Sequence, residues 1–464
     1  MLLPDTFSLL VLGLGSTGST VAAWGAKHLG DRVASVTVYA GATSAPSPAT
    51  AELEAMGVRV ITATEKVEGS FDICVASPGI SEFSDFYASA RMASCEIMGE
   101  PEFSYRLSPR EWVAITGTNG KTTTTTLVNY MFELAGLSSV AVGNIGTVPL
   151  SCVDDRAQDE LFVAELSSFQ LACTSKFHPR TAALLNITPD HVAWHKTHQN
   201  YIDAKLKVFD NMGPDDLAVV CVADEGSAAQ LDRISKTGVR VCELGLEDTG
   251  ASNAAFVRDN QLMVRRDGKL VELCQVDDML IAGQHNVMNA LAASALALEI
   301  GLSATQVVDA LKSFSALEHR IEPVCTVGDV EYFNDSKATN TDATLKALTA
   351  FPEKDIVLML GGHDKGTELE QFCETVCKTV KAVICFGDAR DRFLTNMVAA
   401  RESYQVEIAE ADHLLDAIDV AYSIAEPGDV VLFSPACSSF DEFSGYEERG
   451  ERFKELVHSL KDRD

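Results

Sequence analysis

The chain has 464 residues, of which 46% are hydrophobic and 22% charged, and its formal net charge at pH 7 is −30. A chain of this length exceeds a single hydrophobic core, so about three folded domains are expected. The negative charge argues against nucleic acids and anionic membranes as partners, and any anionic substrate must be met by local cations.

Targeting and membrane signals are missing from the sequence. No apolar run reaches the ~20 residues needed to span a bilayer, and the first residues carry no basic region typical of a secretory signal. The twelve cysteines include no C-x-x-C pair, which argues against a zinc ribbon and indicates buried free thiols in a reducing compartment. A monomeric cytoplasmic protein is therefore expected.

Short apolar runs alternate with helix-length segments along most of the chain, which predicts an α/β fold with mainly parallel sheets. The period drops toward two between 251 and 276, which predicts a small antiparallel insertion. A polar, proline-containing stretch at 98–109 predicts a domain boundary, and the predicted domains are 1–105, 106–315 and 316–464. Strands are predicted at 7–12, 33–39, 73–76, 112–115, 162–165, 182–187, 330–333, 356–360, 382–386 and 430–433, and helices at 127–134, 285–300 and 304–314.

The first predicted strand runs into a glycine loop, with Gly13, Gly15 and Gly18 ahead of a helix. This context is typical of a phosphate-binding turn. The next strand ends in Ala40-Gly41-Ala42, without the acidic residue that would hold the ribose of a dinucleotide. Nicotinamide or flavin binding is therefore disfavoured, while another nucleotide or a purely structural turn stays open.

A second glycine loop lies between the strand at 112–115 and the next helix. Backbone N–H groups of such a loop surround phosphate oxygens, its lysine places charge on the β- and γ-phosphates, and its hydroxyl can ligate Mg²⁺. Only two residues separate its glycines, against four in the common G-x-x-x-x-G-K-[ST] loop. The alternative, a tight turn with an exposed lysine, explains neither the Lys-Thr pair nor the helix start. The loop predicts an ATP-dependent enzyme, and its residues are Gly117, Thr118, Asn119, Gly120, Lys121, Thr122 and Thr123.

Two later strand ends carry candidate metal ligands. Glu165 ends the strand at 162–165, where an acidic group can hold Mg²⁺ opposite a phosphate loop; a solvated acid or a helix cap is the alternative. His191, His195 and His198 have the spacing of a metal cluster, but no H-E-x-x-H is present, and Trp194 and Lys196 fit a helix surface equally well. Only His191 is taken as functional. The sequence around Lys205, taken alone, predicts a solvated lysine on a helix.

Three polar turns end strands in the last third of the chain, at 334–340, 361–366 and 434–439. A lysine with polar side chains at a strand-to-helix turn can bind an anion or a ribose. Each turn is a weak signal alone, and the three on one sheet together predict a site.

These motifs, in this order and over essentially the whole chain, resemble the Mur ligases of peptidoglycan synthesis. The resemblance implies a Rossmann-like UDP-binding domain, a central phosphate-loop ATPase domain and a Rossmann-like C-terminal domain that receives an amino acid. It also implies an ATP-dependent amide ligase acting through an acyl phosphate, with the D-glutamate-adding members of the family as the best match. The matching segments are 117–123, 143–146, 165–171, 201–205, 283–289, 319–320, 334–340 and 434–439.

The resemblance assigns roles to individual residues. Two Mg²⁺ ions are implied, held by Thr122, Glu165, His191 and a carbamylated Lys205. The implied catalytic residues are Lys121, His191, Lys205 and Lys337. ATP contacts beyond the loop are Asn286, Asn289, Arg320 and Asp335. Contacts to UDP-N-acetylmuramoyl-L-alanine are Gly15, Ser16, Thr17, Gly79, Asn144 and His191. Contacts to D-glutamate are Thr339, Lys365, Ser439, Phe440 and Tyr446.

The chain departs from the family pattern near the uracil, where many members have an acidic residue and an arginine and this chain has Ala40-Gly41-Ala42. Uridine must then be held by backbone groups, by the loop at 15–18 or by the turn at 77–79. Folylpolyglutamate synthases lack the first domain, and the Asp-Asn-Pro-Arg motif of diaminopimelate-adding ligases is absent from this sequence. A nicotinamide-linked oxidoreductase and a non-catalytic nucleotide sensor are the alternatives from other classes.

Overall fold

A computed structural model describes residues 3–281, 283–315, 318–351, 354–363, 369–401, 404–461 and 463. The chain forms two compact units. The first unit comprises Met1–Leu280 and Gln284–Phe314, and the second comprises Ile281–Gly283 and Ser315–Asp464. Three sheets occur in the described residues, and the predicted α/β class with mainly parallel sheets is confirmed.

The first sheet has five parallel strands in the order β3-β2-β1-β4-β5 over the described part of the chain. Its central strand β1 is fully buried at Leu9 to Leu12, as expected for a parallel strand covered on both faces. The elements are β1 Phe7–Leu12, α1 Ser16–Lys27, β2 Val33–Tyr39, α2 Pro48–Ala55, β3 Arg59–Ile61, β4 Phe71–Ala76, α3 Asp85–Ala93, β5 Ser94–Gly99 and α4 Glu100–Leu107.

The stretch predicted as a polar break is helix α4, and its charges are buried. Glu102 is fully buried and accepts a 2.7 Å hydrogen bond from Nε of Arg106, one helical turn away. Arg106 also forms a two-pronged pair with Glu96 on β5. The polar pattern therefore reflects a buried ionic network, and the predicted boundary at 105 falls inside a helix.

The second sheet belongs to the same unit and has nine strands, counted over the described residues, in the order β14-β13-β12-β11-β10-β9-β6-β8-β7. The predicted antiparallel insertion is confirmed as β12, β13 and β14. It extends the main sheet, because β12 pairs in parallel with β11.

The bounds of this second set of elements follow. The strands are β6 Trp112–Thr116, β7 Ser139–Gly143, β8 Leu161–Glu165, β9 Thr181–Leu184, β10 Leu217–Cys221, β11 Arg240–Leu244, β12 Ala254–Arg258, β13 Gln261–Arg266 and β14 Lys269–Gln275. The helices are α5 Lys121–Leu134, α6 Leu150–Val153, α7 Ser168–Ala172, α8 Val192–His195, α9 His198–Leu206, α10 Glu225–Ala228, α11 Leu231–Ser235, α12 Gln284–Ile300 and α13 Ala304–Ser313, with 3₁₀ turns at Lys207–Phe209 and Val276–Asp278.

The second unit has one sheet, six-stranded over its described residues, in the order β15-β16-β20-β17-β18-β19. Only the pairing of β15 with β16 is antiparallel among these strands. The elements are β15 Glu322–Val327, β16 Val330–Asn334, α14 Thr341–Leu348, β17 Ile356–Gly361, α15 Glu370–Thr379, β18 Ala382–Phe386, α16 Arg390–Arg401, β19 Glu407–Glu410, α17 Leu414–Ile424, β20 Val430–Ala436 and α18 Tyr446–Leu460.

Two global expectations can be compared with this fold. Within the described residues, no helix has both the length and the apolar character required to cross a membrane. Nine of the twelve cysteines are buried free thiols. These nine thiols therefore belong to the packed core.

Candidate functional site

The phosphate loop joins β6 to α5, and its backbone path requires glycine. Gly120 precedes α5 with a φ of +81°, in the left-handed region. A Cβ at Gly120 would lie 2.5 Å from Oδ1 of Asn289. Any side chain here would therefore meet both strained backbone and an occupied space.

The loop is held from the neighbouring strand β9 by Asn186. Its Oδ1 accepts from the backbone N–H of Asn119 at 2.8 Å, and its Nδ2 donates to the Asn119 carbonyl at 3.2 Å. Thr118 Oγ1 lies 2.8 Å from the hydroxyl of Tyr201. These hydrogen bonds come from the protein itself and hold the loop in its conformation. Sequence reasoning missed Asn186, although its place just beyond the strand beside β6 was a usable signal.

Lys121 lies at the start of α5 with its ammonium over the loop. Its Nζ donates to the carbonyls of Gly117 and Thr118, each at 3.0 Å. The first turn of α5 carries no acidic residue, so the positive end of the helix dipole adds to this cation. The loop therefore offers the charge and the N–H groups that a phosphate needs.

Glu165 lies at the end of β8, next to β6 and β7. Its side chain is almost completely buried, at 2% exposure, so the alternative of a solvated acid is wrong. Oε1 accepts from Nδ2 of Asn144 at 2.7 Å, whereas the buried Oε2 has no hydrogen-bond partner among the described residues. The cap of α7 is Ser167, not Glu165. A buried carboxylate oxygen without a donor is suited to a cation.

Lys205, on α9, is also buried, at 2% exposure, so its interpretation as a solvated helix lysine is wrong. Its Nζ donates to the Gly117 carbonyl at 2.7 Å and lies 4.8 Å from the ring centroid of Tyr201. Burial, and then the charge of Lys121, hold the pKa of Lys205 well below its ordinary value. Burial beneath the phosphate loop therefore favours the neutral amine form of this lysine.

The three histidines occupy different surroundings. His191 has a φ of +52°, and its half-exposed side chain lies 3.4 Å from the Asp190 carboxylate. His195 is fully buried, its Nε2 lies 2.9 Å from Ser168 Oγ, and burial lowers its pKa to about 4. His195 is therefore a neutral core residue.

Helix α12 brings the two predicted ATP-contacting asparagines beside α5. Asn289 is buried and donates to Asn286 Oδ1 at 3.2 Å. Its Oδ1 accepts from Thr124 Oγ1 at 3.3 Å. Asn289 thus lies beside Gly120 of the phosphate loop and contacts the first turn of α5.

The glycine loop of the first sheet is a tight turn at the start of α1. Gly13 has a φ of +82°, and a Cβ at Gly18 would lie 2.0 Å from the Gly13 carbonyl oxygen. Gly15 is the N-cap of α1, and Ser16 and Gly79 are exposed at the same end of the sheet. Thr17 lines a small cleft there together with Ala76, Pro78, Gly99, Glu100, Pro101, Phe169, Gln170 and Cys173. The predicted UDP contacts of the first sheet therefore lie together.

The polar turns of the second unit meet around Asp335. This buried carboxyl accepts from Ser434 Oγ at 2.6 Å, and burial raises its pKa to about 7. Arg320 opposes that shift through its charge. Lys337 Nζ donates to the hydroxyl of Tyr446 at 3.2 Å. The turns after β16 and β20 thus form one cluster, as the sequence predicts.

The predicted D-glutamate contacts fall into three groups. Ser439 is buried, Thr339 and Tyr446 are half-buried, and Phe440 is 70% exposed. Lys365 lies outside the described residues. Sequence reasoning missed Arg449, a buried cation beneath these turns.

Two protein-family models match this chain. The Mur ligase middle domain matches residues 115–297, and the Mur ligase glutamate ligase domain matches residues 319–437. A curated protein of Alkaliphilus oremlandii, named UDP-N-acetylmuramoylalanine--D-glutamate ligase, is 38% identical over 397 residues, covering 86% of each chain. A protein of the same name from Pelotomaculum thermopropionicum is 37% identical over 457 residues and covers 98% of each chain.

Solved structures share the fold at lower identity. The UDP-N-acetylmuramate-alanine ligase MurC of Thermotoga maritima aligns with a TM-score of 0.56 at 21% identity, over 98% of this chain and 100% of that one. MurF of Acinetobacter baumannii aligns with a TM-score of 0.57 at 16% identity, over 86% and 92%. These structures show the fold, whereas the two family models and the curated relatives show the family. The chain belongs to the Mur ligase family.

Proposed function

We propose that this Mur ligase joins D-glutamate to UDP-N-acetylmuramoyl-L-alanine, with hydrolysis of ATP to ADP and phosphate, in cytoplasmic peptidoglycan precursor synthesis. The observation that carries the proposal is the phosphate loop beside a buried Glu165 oxygen that has no hydrogen-bond partner among the described residues, and beside a buried Lys205 whose pKa is lowered by burial. The names of relatives at 37–39% identity support the choice of substrates.

The reaction begins with transfer of the γ-phosphoryl group of ATP to the carboxylate of the L-alanyl residue. The acyl phosphate has a good leaving group, so the amine of D-glutamate attacks its carbonyl carbon, and the tetrahedral intermediate collapses to amide and phosphate. Lys121 stabilises the charge that spreads over the transferring phosphoryl oxygens. The loop N–H groups and the positive end of α5 add to this stabilisation.

The residues around the loop suit two Mg²⁺ ions. Thr122 and Glu165 would hold one ion, and His191 with a carbamylated Lys205 would hold the other. The buried oxygen of Glu165 supports this assignment, since it has no donor within the described residues. Bound Mg²⁺ would screen the phosphate charge from the substrate carboxylate.

Carbamylation converts Lys205 from a base into an anionic oxygen ligand. The neutral amine nitrogen forms a bond to the carbon of CO₂ and releases one proton, which leaves a carbamate. A protonated lysine can neither make this bond nor ligate Mg²⁺, whereas the burial of Lys205 favours the neutral amine. The burial of its side chain therefore supports the modification.

The remaining contacts divide among three proposed domains, at 1–105, 106–315 and 316–464. In the proposed first domain and on the second sheet, Gly15, Ser16, Thr17, Gly79, Asn144 and His191 contact the UDP substrate. Asn286, Asn289, Arg320 and Asp335 contact ATP beyond the loop residues. Thr339, Lys365, Ser439, Phe440 and Tyr446 receive D-glutamate, and Lys337 acts near the reacting atoms.

The test is phosphate release from ATP in the presence of UDP-N-acetylmuramoyl-L-alanine and a panel of amino acids. D-Glutamate should support fast release, with little from L-glutamate, D-alanine or diaminopimelate. Faster release with another amino acid would contradict the specificity, and release without any amino acid acceptor would contradict ligation.

Two variants sharpen this assay. Lys121→Ala should abolish release while the fold stays intact, because it removes the cation that faces the phosphoryl group. Lys365→Ala should raise the KM for D-glutamate far more than the KM for ATP, because a dicarboxylate needs a cation in a protein of net charge −30. Near-normal turnover of the first variant would refute the role of the loop.

A further inference from the structure

Arg449 lies in the first turn of α18 and is 1% exposed, so its charge is withdrawn from water. A buried guanidinium is costly unless its N–H groups are all met by acceptors. Burial lowers the pKa of Arg449 to about 10, so the side chain is still a cation at neutral pH. The hydrogen-bond acceptors of Arg449 therefore indicate its role.

Those partners belong to the two turns that hold predicted substrate residues. Nε and Nη2 donate to the hydroxyl and carbonyl oxygens of Ser336, at 3.0 and 2.8 Å. Nη1 and Nη2 donate to the carbonyls of Ser438 and Cys437, at 3.1 and 3.0 Å. One planar group thus joins the turn after β16 to the turn after β20.

The turn after β17 also approaches this group. A Cβ at Gly362 would lie 2.9 Å from Nη1 of Arg449 and 2.4 Å from the Ser438 carbonyl oxygen. The backbone N–H of His363 donates to that same carbonyl at 2.8 Å. All three polar turns that the sequence singles out therefore converge on Arg449.

Two of these turns place a proposed site residue directly beside an Arg449 contact. Lys337 follows Ser336 in the chain, and Ser439 follows Ser438. The hydroxyl of Ser336 also donates to the Tyr446 carbonyl at 2.8 Å. A shift of the guanidinium would move the backbone on both sides of the amino-acid site.

We propose that Arg449 is a positioning residue for amino-acid binding, which acts through Ser336 and Ser438 to fix Lys337 and Ser439 relative to one another. The proposal rests on the proposed function, because it takes these turns as the D-glutamate site. A lysine cannot replace the arginine, since its single ammonium cannot reach both turns with the geometry of a planar fork.

A purely structural arginine is available as a matched control. Arg156, in the first unit, is buried, and its guanidinium donates to the backbone carbonyls of Ser108, Arg110 and Glu111 at 3.0, 2.8 and 2.9 Å. Burial lowers its pKa to about 10, as for Arg449. Loss of either side chain should lower stability, but only Arg449 contacts the amino-acid turns.

The experiment compares the full-length wild type with Arg449→Met, Arg449→Lys and Arg156→Met. The quantities are Tm, kcat, the KM for ATP and the KM for D-glutamate, from phosphate release at a temperature where each variant is folded. We expect Arg449→Met to raise the KM for D-glutamate roughly tenfold to a hundredfold, with less than about a threefold change for ATP. Arg449→Lys should show the same split, and Arg156→Met should lower Tm without it.

An equal change in both KM values for Arg449→Met, or full function of Arg449→Lys, would overturn the proposal. If Arg449→Met does not fold, Ser336→Ala removes the Nε contact together with the hydrogen bond to the Tyr446 carbonyl and should still raise the KM for D-glutamate selectively. An unchanged KM in that variant would also overturn the proposal. A wild type without D-glutamate-dependent release would instead refute the proposed function, so the two failures are distinguishable.

Discussion

Two buried glutamates of the first unit, Glu102 and Glu165, differ in how their oxygens are satisfied. Glu102 accepts from Arg106 and from the backbone N–H groups of Ser175, Lys176 and Phe177, at 2.7 to 3.1 Å. Glu165 accepts from one side chain, and its Oε2 has no partner in the described part of the chain. A complete set of donors indicates a structural charge, whereas an incomplete set indicates a place for a cation.

Two buried basic side chains show the same difference. Arg156 donates to several backbone carbonyls and lies 3.7 Å from the ring centroid of Phe162. Lys205 donates to a single carbonyl, that of Gly117. Glu165 and Lys205, which have few hydrogen-bond partners, lie at the phosphate loop or at the strand end beside it. Glu102 and Arg156, whose partners are more numerous, tie secondary-structure elements together.

Among these variants, the largest effect on catalysis should come from Glu165→Gln, which keeps the shape of the side chain and removes its charge. We expect kcat to fall a hundredfold or more, about 3 kcal/mol in the barrier, because a proposed metal ligand is lost. Tm should stay equal or rise, since a buried charge with too few donors is removed. Phosphate release and thermal unfolding measure the two quantities, and a large loss of Tm with retained kcat would break the comparison.

Lys205→Ala tests the corresponding basic side chain. Activity should fall by roughly a hundredfold, and millimolar acetate or another short carboxylate should restore part of it by supplying the lost anionic oxygen. Arg156→Met serves as the control, because no carboxylate should rescue it. Full activity of Lys205→Ala without any additive would show that the lysine is not a ligand precursor.

Glu102→Ala should act on stability rather than on chemistry. Removing it leaves the Arg106 charge and three backbone N–H groups short of an acceptor, which should cost about 3–5 kcal/mol in the free energy of unfolding. Denaturant titration measures the change. At a temperature where the variant is folded, KM values should stay within about twofold of wild type; a selective loss of catalysis would make Glu102 more than structural.

The smallest effect concerns Glu100, which shares features of both groups. Its Oε1 accepts from Ser104 and from the backbone N–H of Leu150, its buried Oε2 has no partner within the described residues, and burial raises its pKa to about 7. Because the folded pKa lies above the unfolded one, stability should fall as pH rises from about 4.5 to 7, by no more than about 3 kcal/mol.

Glu100→Gln should remove that dependence. The variant should match wild type at pH 5 and be more stable by about 1–3 kcal/mol at pH 8, where the wild-type carboxyl must ionise in the core. Thermal unfolding at both pH values measures this. An identical pH slope in the two proteins would show that Glu100 does not titrate in this range.

Contiguous signals in the sequence predicted the fold and the phosphate loop. Strands β1 and β2 match their predicted bounds because apolar runs and glycine turns are local features. Glu165 was singled out as a candidate metal ligand because it ends a predicted strand, and the carboxyl ends of parallel strands lie at the edge of the sheet where ligands bind. The three-residue strand β3 escaped prediction, since it is too short to show a period.

Other features depend on partners far along the chain. Lys205 is buried by a loop 88 residues earlier, and the donors to Glu102 come from 73 to 75 residues later. A charged residue looks the same in sequence whether water or a distant backbone satisfies it. Arg449 was missed for the same reason, because three of its four acceptors are backbone carbonyl oxygens, which any residue type provides.

Helix α4 also constrains how this gene could be recombined. Glu102 lies in the part of the chain that forms the first sheet. The backbone N–H groups that donate to it lie in the part of the chain that forms the second sheet. A chimera that took residues up to 107 from one relative and the remainder from another would have to match α4 to a foreign loop at 175–177. Viable crossovers should therefore be rare at this point, and the two sheets should be inherited as a single module.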